Sequence, residues 1–195
     1  MLEVITSMKE STHTQALGIV GSPRRGGNTE ILVDEVLAGA EEAGALITKA
    51  ILNELDISPC QSCNACQTGE CVQQDDMPRL LEQMEQSQVW VLGTPIYWWG
   101  PTAQFKAFLD RWYGAGQVTF KGRCVVLVIP LGGSAHFARH TVGMLTDILD
   151  YVRAELVATV LAPGASRLGA VRGHTDVLAA ARRAGREAVE MLMKR

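Results

Sequence analysis

Gly21-Ser22-Pro23-Arg24-Arg25-Gly26-Gly27-Asn28-Thr29 joins an apolar run to a helical pattern, and its reading decides the fold. Ahead of it, Ala16-Leu17-Gly18-Ile19-Val20 is short, apolar and stopped by Gly and Pro, the pattern of a buried strand. Behind it, Ile31, Leu32, Val33, Val36 and Leu37 recur at helical spacing, with Asn28 or Thr29 expected as the N-cap. A small-residue loop between a strand end and a helix start directs several backbone N–H groups at one point, where the helix dipole favours an anion. Ser22, Asn28 and Thr29 add side-chain donors, and Arg24 or Arg25 a full charge. Gly and Ser also serve simply to reverse a chain; the Arg pair and the Asn-Thr step are what point to phosphate here. No Lys followed by Ser or Thr stands at Walker A spacing, and G-x-G-x-x-G is absent, so neither an NTP loop nor a dinucleotide fingerprint is expected. The loop holds no Cys, which disfavours a phosphatase built on a cradled Cys nucleophile.

The rest of the chain alternates. Strands are expected near residues 16–21, 46–52, 88–93, 123–130 and 155–161, and helices near 28–43, 75–86, 101–113, 138–151 and 174–193. The strands are near-continuous hydrophobic runs, as in Val89-Trp90-Val91-Leu92 and Cys124-Val125-Val126-Leu127-Val128-Ile129, which suits burial on both faces of a parallel sheet. The expectation is an α/β, doubly wound, five-stranded parallel sheet with helices on both faces and a ligand beyond the carboxyl ends of its strands. At 195 residues one domain over 16–195 is the simplest division, with residues 1–15 a polar tail lacking a signal-peptide core. A net charge of −3 gives no nucleic-acid surface. No apolar run reaches the roughly 18–20 residues that cross a bilayer, so no membrane is expected and the cytoplasm is the default location.

If the ligand rule holds, other strand ends should carry unusual loops. After Leu92 comes Gly93-Thr94-Pro95-Ile96-Tyr97-Trp98-Trp99-Gly100-Pro101, three aromatics in a row between Gly and Pro. Exposed together they form an apolar patch that marks a ligand or partner surface; packing into a core or subunit interface is the other reading of those side chains. After the next strand, Pro130-Leu131-Gly132-Gly133-Ser134-Ala135-His136 allows close backbone approach to a ring system. His136 and His140 flank it, read as solvated or capping residues.

With these residues in place, the chain resembles the flavodoxin-like NAD(P)H-dependent FMN reductase family. The likeness rests on Gly21-Ser22-Pro23-Arg24 through Gly27-Asn28-Thr29, on Gly93-Thr94-Pro95-Ile96-Tyr97-Trp98, and on Lys106, Phe108, Asp110 and Arg111 in a K-x-F-x-D-R spacing. It is strong over residues 16–135 and reduces to a strand–helix pattern beyond. The resemblance implies FMN, its phosphate at Ser22, Arg24, Gly27, Asn28 and Thr29, and its ring at Pro95, Ile96, Tyr97 and Trp98, with Gly132, Gly133 and Ser134 on the other side. It implies a homodimer or homotetramer with the flavin near a subunit interface. It also implies hydride transfer from NAD(P)H and onward transfer to a quinone, a flavin, another small-molecule electron acceptor or a redox protein. The flavin carries that chemistry, so no protein residue is expected to be catalytic.

Four of the five cysteines fall in Cys60-Gln61-Ser62-Cys63-Asn64-Ala65-Cys66 and Cys71. In a cytoplasmic chain such crowding points to metal or redox chemistry more than to structural disulfides. C-x-x-C-x-x-C thiolates can wrap one face of a [4Fe–4S] cluster and a fourth can close it; zinc and plain thiols are the competing readings. The spacing, with Asp75-Asp76-Met77 after it, resembles the iron–sulfur flavoprotein branch of the same family. Cys124, mid-strand, reads as core. A flavodoxin-type electron carrier and a non-enzymatic regulatory protein of the same fold are the rival functions; the mild net charge speaks against the carrier.

Overall fold

The computed structural model describes residues 13–115 and 120–195. Five hydrophobic runs become strands: β1 (Gln15–Val20), β2 (Leu46–Ile51), β3 (Val89–Gly93), β4 (Cys124–Pro130) and β5 (Glu155–Ala162). All pair in parallel, in the order β2-β1-β3-β4-β5. Among the described residues each strand is followed by a helix: α1 (Asn28–Glu42), α2 (Met77–Gln86), α3 (Ala103–Asp110), α4 (Arg139–Tyr151) and α5 (Thr175–Met193). Of the expected tail 1–15, residues 1–12 lie outside the described residues, and Gln15 already pairs in β1. The helix expected over 101–113 is shorter: α3 passes into a 3₁₀ turn, Arg111–Gly114, that aims its residues differently.

Alternate residues of each central strand enter two cores, as period-two side chains must. Ala16, Val20, Val91 and Val126 pack with α1 and α5 on one face; Leu17, Ile19, Trp90, Leu127 and Ile129 pack with α2, α3 and α4 on the other. Cys124 lies in the first core, fully buried. The helices α1 and α5 touch backbone to backbone. A Cβ on Gly185 would sit 1.9 Å from the Val36 carbonyl oxygen, and one on Gly39 1.8 Å from that of Arg182. Among the described residues no helix is long and apolar enough to cross a membrane.

Candidate functional site

Strand order reverses between β1 and β3, so the loop from Gly21 to Gly27 lies at the point where doubly wound sheets open a crevice. The N-cap of α1 is Gly27, and no side chain caps the helix. This corrects the expectation of Asn28 or Thr29, and the cause is competition. Asn28 donates its amide to the carbonyl oxygens of Ala165 and Arg167, both at 2.8 Å, and accepts the Val171 N–H at 3.1 Å. That leaves the first N–H groups of α1 without a side-chain partner, the condition under which a helix start takes an anion.

The arginine pair divides. Arg25 is tied to Glu54 at 2.6 Å and to Glu30 at 3.5 Å, whereas Arg24 borders the crevice. Ser22 is buried, and its hydroxyl accepts the Arg24 N–H, curling the loop. Behind the loop, Glu30 accepts the Gly26 N–H at 2.7 Å and meets Lys49 at 3.0 Å. Burial pushes its carboxyl up, but the Gly26 N–H, Lys49 and Arg25 outweigh that and hold it below its ordinary value.

A cleft opens here. Ser22, Arg24, Gly27, Asn28 and Thr29 line one side, and Pro95, Ile96, Tyr97 and Gly132 line another. Ala165, Ser166 and Leu168, from the loop after β5, complete it. The sequence offered little for these three, because Pro163-Gly164-Ala165-Ser166 reads as an ordinary turn. A second scaffold also lies outside the sequence reading. Thr102 caps α3 through the Phe105 N–H and donates its hydroxyl to the Gly21 carbonyl, while its own N–H reaches the Thr94 hydroxyl. Two buried threonines thus join the first and second loops.

Trp98 and Gly133 face a neighbouring apolar hollow with Trp99 and Phe137, and Ile96 and Gly132 border both spaces. Ser134 lines neither; it precedes the turn Ala135–Ala138, where its carbonyl accepts the Phe137 N–H. Tyr97 and Gly100 exchange backbone hydrogen bonds of 2.9 and 3.0 Å around Trp98 and Trp99, whose φ angles are +49° and +63°. This is the type I′ pattern, built here from two bulky residues in the left-handed region. Thr141 holds the Trp99 carbonyl at 3.0 Å, and Trp98 is 92% exposed.

Cys60, Cys63, Cys66 and Cys71 are free thiols that line one small hollow. Positive φ at Ser62 (+54°) and Asn64 (+61°) curls the loop, and the Ser62 N–H points at Cys60 Sγ, 3.4 Å away. Backbone N–H donation of this kind stabilises a thiolate and suits a thiolate-bound group. Among the described residues, no three thiols, imidazoles or carboxylates converge as the ligands of a single metal ion. The donors lining this hollow are four thiols with no carboxylate or imidazole among them, a soft-sulfur set whose chemistry suits an iron–sulfur group. The loop is anchored by Arg111 and Asp75, an ion pair whose side chains are 3% and 2% exposed. Burial pushes the Asp75 carboxyl up, but Arg111 and the N–H groups of Ser58 and Met77 bring it below its usual range.

A parallel sheet of this order, with an uncapped helix start at its switch point and two further loops beside it, defines a flavodoxin-like protein. The chain belongs to the NADPH-dependent FMN reductase family, whose model matches residues 14–167. It is 33% identical over 151 residues to an iron–sulfur flavoprotein of Archaeoglobus fulgidus, a match covering 76% of this chain and 65% of that one. It is 38% identical over 98 residues to an iron–sulfur flavoprotein of Methanocaldococcus jannaschii, over 50% of this chain and 51% of the relative. The chain thus spans between half and two thirds of the length of these relatives. An NAD(P)H:quinone oxidoreductase from Methanothermobacter marburgensis shares the fold, with a TM-score of 0.74 at 18% identity, over 89% of this chain and 96% of that chain.

Proposed function

We propose that this protein is an FMN-dependent oxidoreductase that takes hydride from NAD(P)H and passes electrons to a quinone, a flavin or another small acceptor. The observation carrying the reading is the cleft in which the uncapped start of α1, Arg24 and the Pro95–Tyr97 loop meet. Bound FMN supplies the redox chemistry itself. The chain's part is to hold it. Arg24, Ser22 and the first N–H groups of α1 take the phosphate by charge-assisted hydrogen bonds. Pro95, Ile96, Tyr97 and Gly132 hold the ring system, and the exposed face of Trp98 and Trp99 supports assembly into a homodimer or homotetramer.

The four thiols around one hollow support a [4Fe–4S] cluster held by Cys60, Cys63, Cys66 and Cys71, which would supply one-electron steps toward an acceptor. Free thiols at this density suit the reducing cytoplasm.

The test is an absorption spectrum of anaerobically purified protein, with flavin, iron and zinc quantified on the same sample and NAD(P)H oxidation followed. Flavin with stoichiometric iron supports the whole reading. Flavin without iron, yet with steady NAD(P)H oxidation, leaves a plain flavin reductase. Flavin without NAD(P)H oxidation makes the protein a carrier, and failure to bind FMN on reconstitution overturns the proposal.

A further inference from the structure

The 3₁₀ turn Arg111–Gly114 forms a second wall of the cysteine hollow, supplied by α3 and not by the cysteine loop. Arg111 Nη1 donates to Asp75 Oδ2 at 2.5 Å and to the Ser58 carbonyl at 2.9 Å. Its Nη2 donates to Asp75 Oδ1 at 3.2 Å and to Cys71 Sγ at 3.5 Å. The planar fork is therefore fixed by a bidentate carboxylate, and the N–H left over is aimed at one sulfur. Asp75 is fixed in turn by the N–H groups of Ser58 and Met77, at 3.0 and 3.1 Å. Three residues beyond Arg111, Gly114 leaves room for Cys66: a Cβ there would meet Cys66 Cβ at 2.9 Å and its Sγ at 3.1 Å.

We infer that Arg111 is a positioning residue that sets the reduction potential of the cluster, acting through the sulfur of Cys71. The inference rests on the [4Fe–4S] reading above. A reduced cluster carries one more negative charge than an oxidised one, so a buried cationic donor on a ligand sulfur favours the reduced form and raises the potential. The Cys60 sulfur receives the neutral N–H of Ser62. The charge on Cys71 is thus applied at one corner of the site, and the Asp75 carboxylate partly offsets it. The two members of the ion pair should therefore move the potential in opposite directions, although both brace the same loop.

Wild type, Arg111→Lys and Asp75→Asn are reconstituted anaerobically with ferrous iron and sulfide, assayed for iron, and titrated with dithionite under spectroscopic control. Lysine keeps a charge for Asp75 but, as a single ammonium, cannot span both carboxylate and sulfur; the cluster potential should fall. Asp75→Asn keeps the guanidinium and removes the offsetting charge; the potential should rise. If Arg111→Lys fails to hold iron, Arg111→Gln takes its place: it removes the charge and keeps a neutral N–H donor, and its potential should fall. Unshifted potentials in iron-replete variants overturn the role of Arg111 and leave the cluster reading standing, as does loss of iron from both variants, which marks a purely structural brace. A wild type that takes up no iron overturns the cluster reading and this inference with it.

Discussion

Asn28 binds Ala165 across 137 residues of sequence, its side-chain amide donating to the carbonyl oxygen at 2.8 Å. The same amide also holds Arg167 and Val171, so the first residue of α1 staples the loop after β5 against the cleft that Ala165, Ser166 and Leu168 help to line. Asn28→Ala removes three hydrogen bonds, each worth about 0.5–1.5 kcal/mol net. The expected result is a loss of about 1–3 kcal/mol in unfolding free energy, together with weaker FMN binding, because the outer wall is released. Urea unfolding and flavin-fluorescence titration of one preparation check both. Full FMN affinity in a destabilised variant would mean that the wall plays no part in holding the flavin.

The arginine pair separates by its partners. Arg24→Ala should weaken FMN binding by about 1.5–3 kcal/mol, roughly 10- to 150-fold, if its guanidinium takes the phosphate. Arg25→Ala should leave FMN affinity within about threefold of wild type, because Arg25 is already bound to Glu54 and Glu30 in an exposed ion pair. Isothermal titration with FMN on both variants decides the matter, and equal losses would place the phosphate elsewhere on the loop.

What the sequence made legible follows a physical division. Strands and helices could be read because each sheet face needs its own alternate residues, so continuous runs such as Val125-Val126-Leu127-Val128 admit few alternatives. The loops after β1, β3 and β4 stood out by their chemistry. Capping is a local rule and points to Asn28 or Thr29, whereas the partners of Asn28 at 165, 167 and 171 are not local. Arg111 stood in a recognised spacing, but nothing in it says that the side chain reaches Asp75 and Cys71. The contact of Gly39 and Gly185 with the opposite helix was equally invisible, since glycine in a helix reads only as a weak position.

That close contact makes its own prediction. At Gly185→Ala the added methyl would meet backbone and not a flexible side chain, so α1 and α5 must separate. Overpacking of this kind costs about 1–3 kcal/mol, enough to lower the thermal midpoint by several degrees. A calorimetric scan that shows the midpoint unchanged or raised contradicts the crossing.

Glu30 gives stability a pH dependence of definite sign. Its carboxyl titrates below its ordinary value of 4.5 in the folded protein, so the unfolded chain binds the proton first as pH falls. The stabilisation is complete above that ordinary value and is lost as pH falls through the lower folded one. Glu30→Gln should be less stable than wild type at pH 7, and the two should converge on acidification below about pH 4.5. Urea midpoints measured from pH 7 to pH 3 check this; a constant difference across the range removes the charge of Glu30 from the account.

Trp98 and Trp99 occupy a turn that favours Asn-Gly, and a bulky residue at positive φ costs about 1–3 kcal/mol. Trp98 gains little in return from its own fold: it is 92% exposed, and its ring meets that of Trp99 with centroids 6.2 Å apart. The strain and the exposure make sense together if the ring works against another molecule. Trp98→Gly should then keep or raise the unfolding free energy of the single chain, by about 1 kcal/mol, as the turn relaxes. If the chain assembles through this turn, as proposed above, the same substitution should shift it toward monomer in sedimentation velocity. A variant that is more stable and still fully assembled would take Trp98 out of the subunit contact and leave the indole facing the hollow beside the cleft.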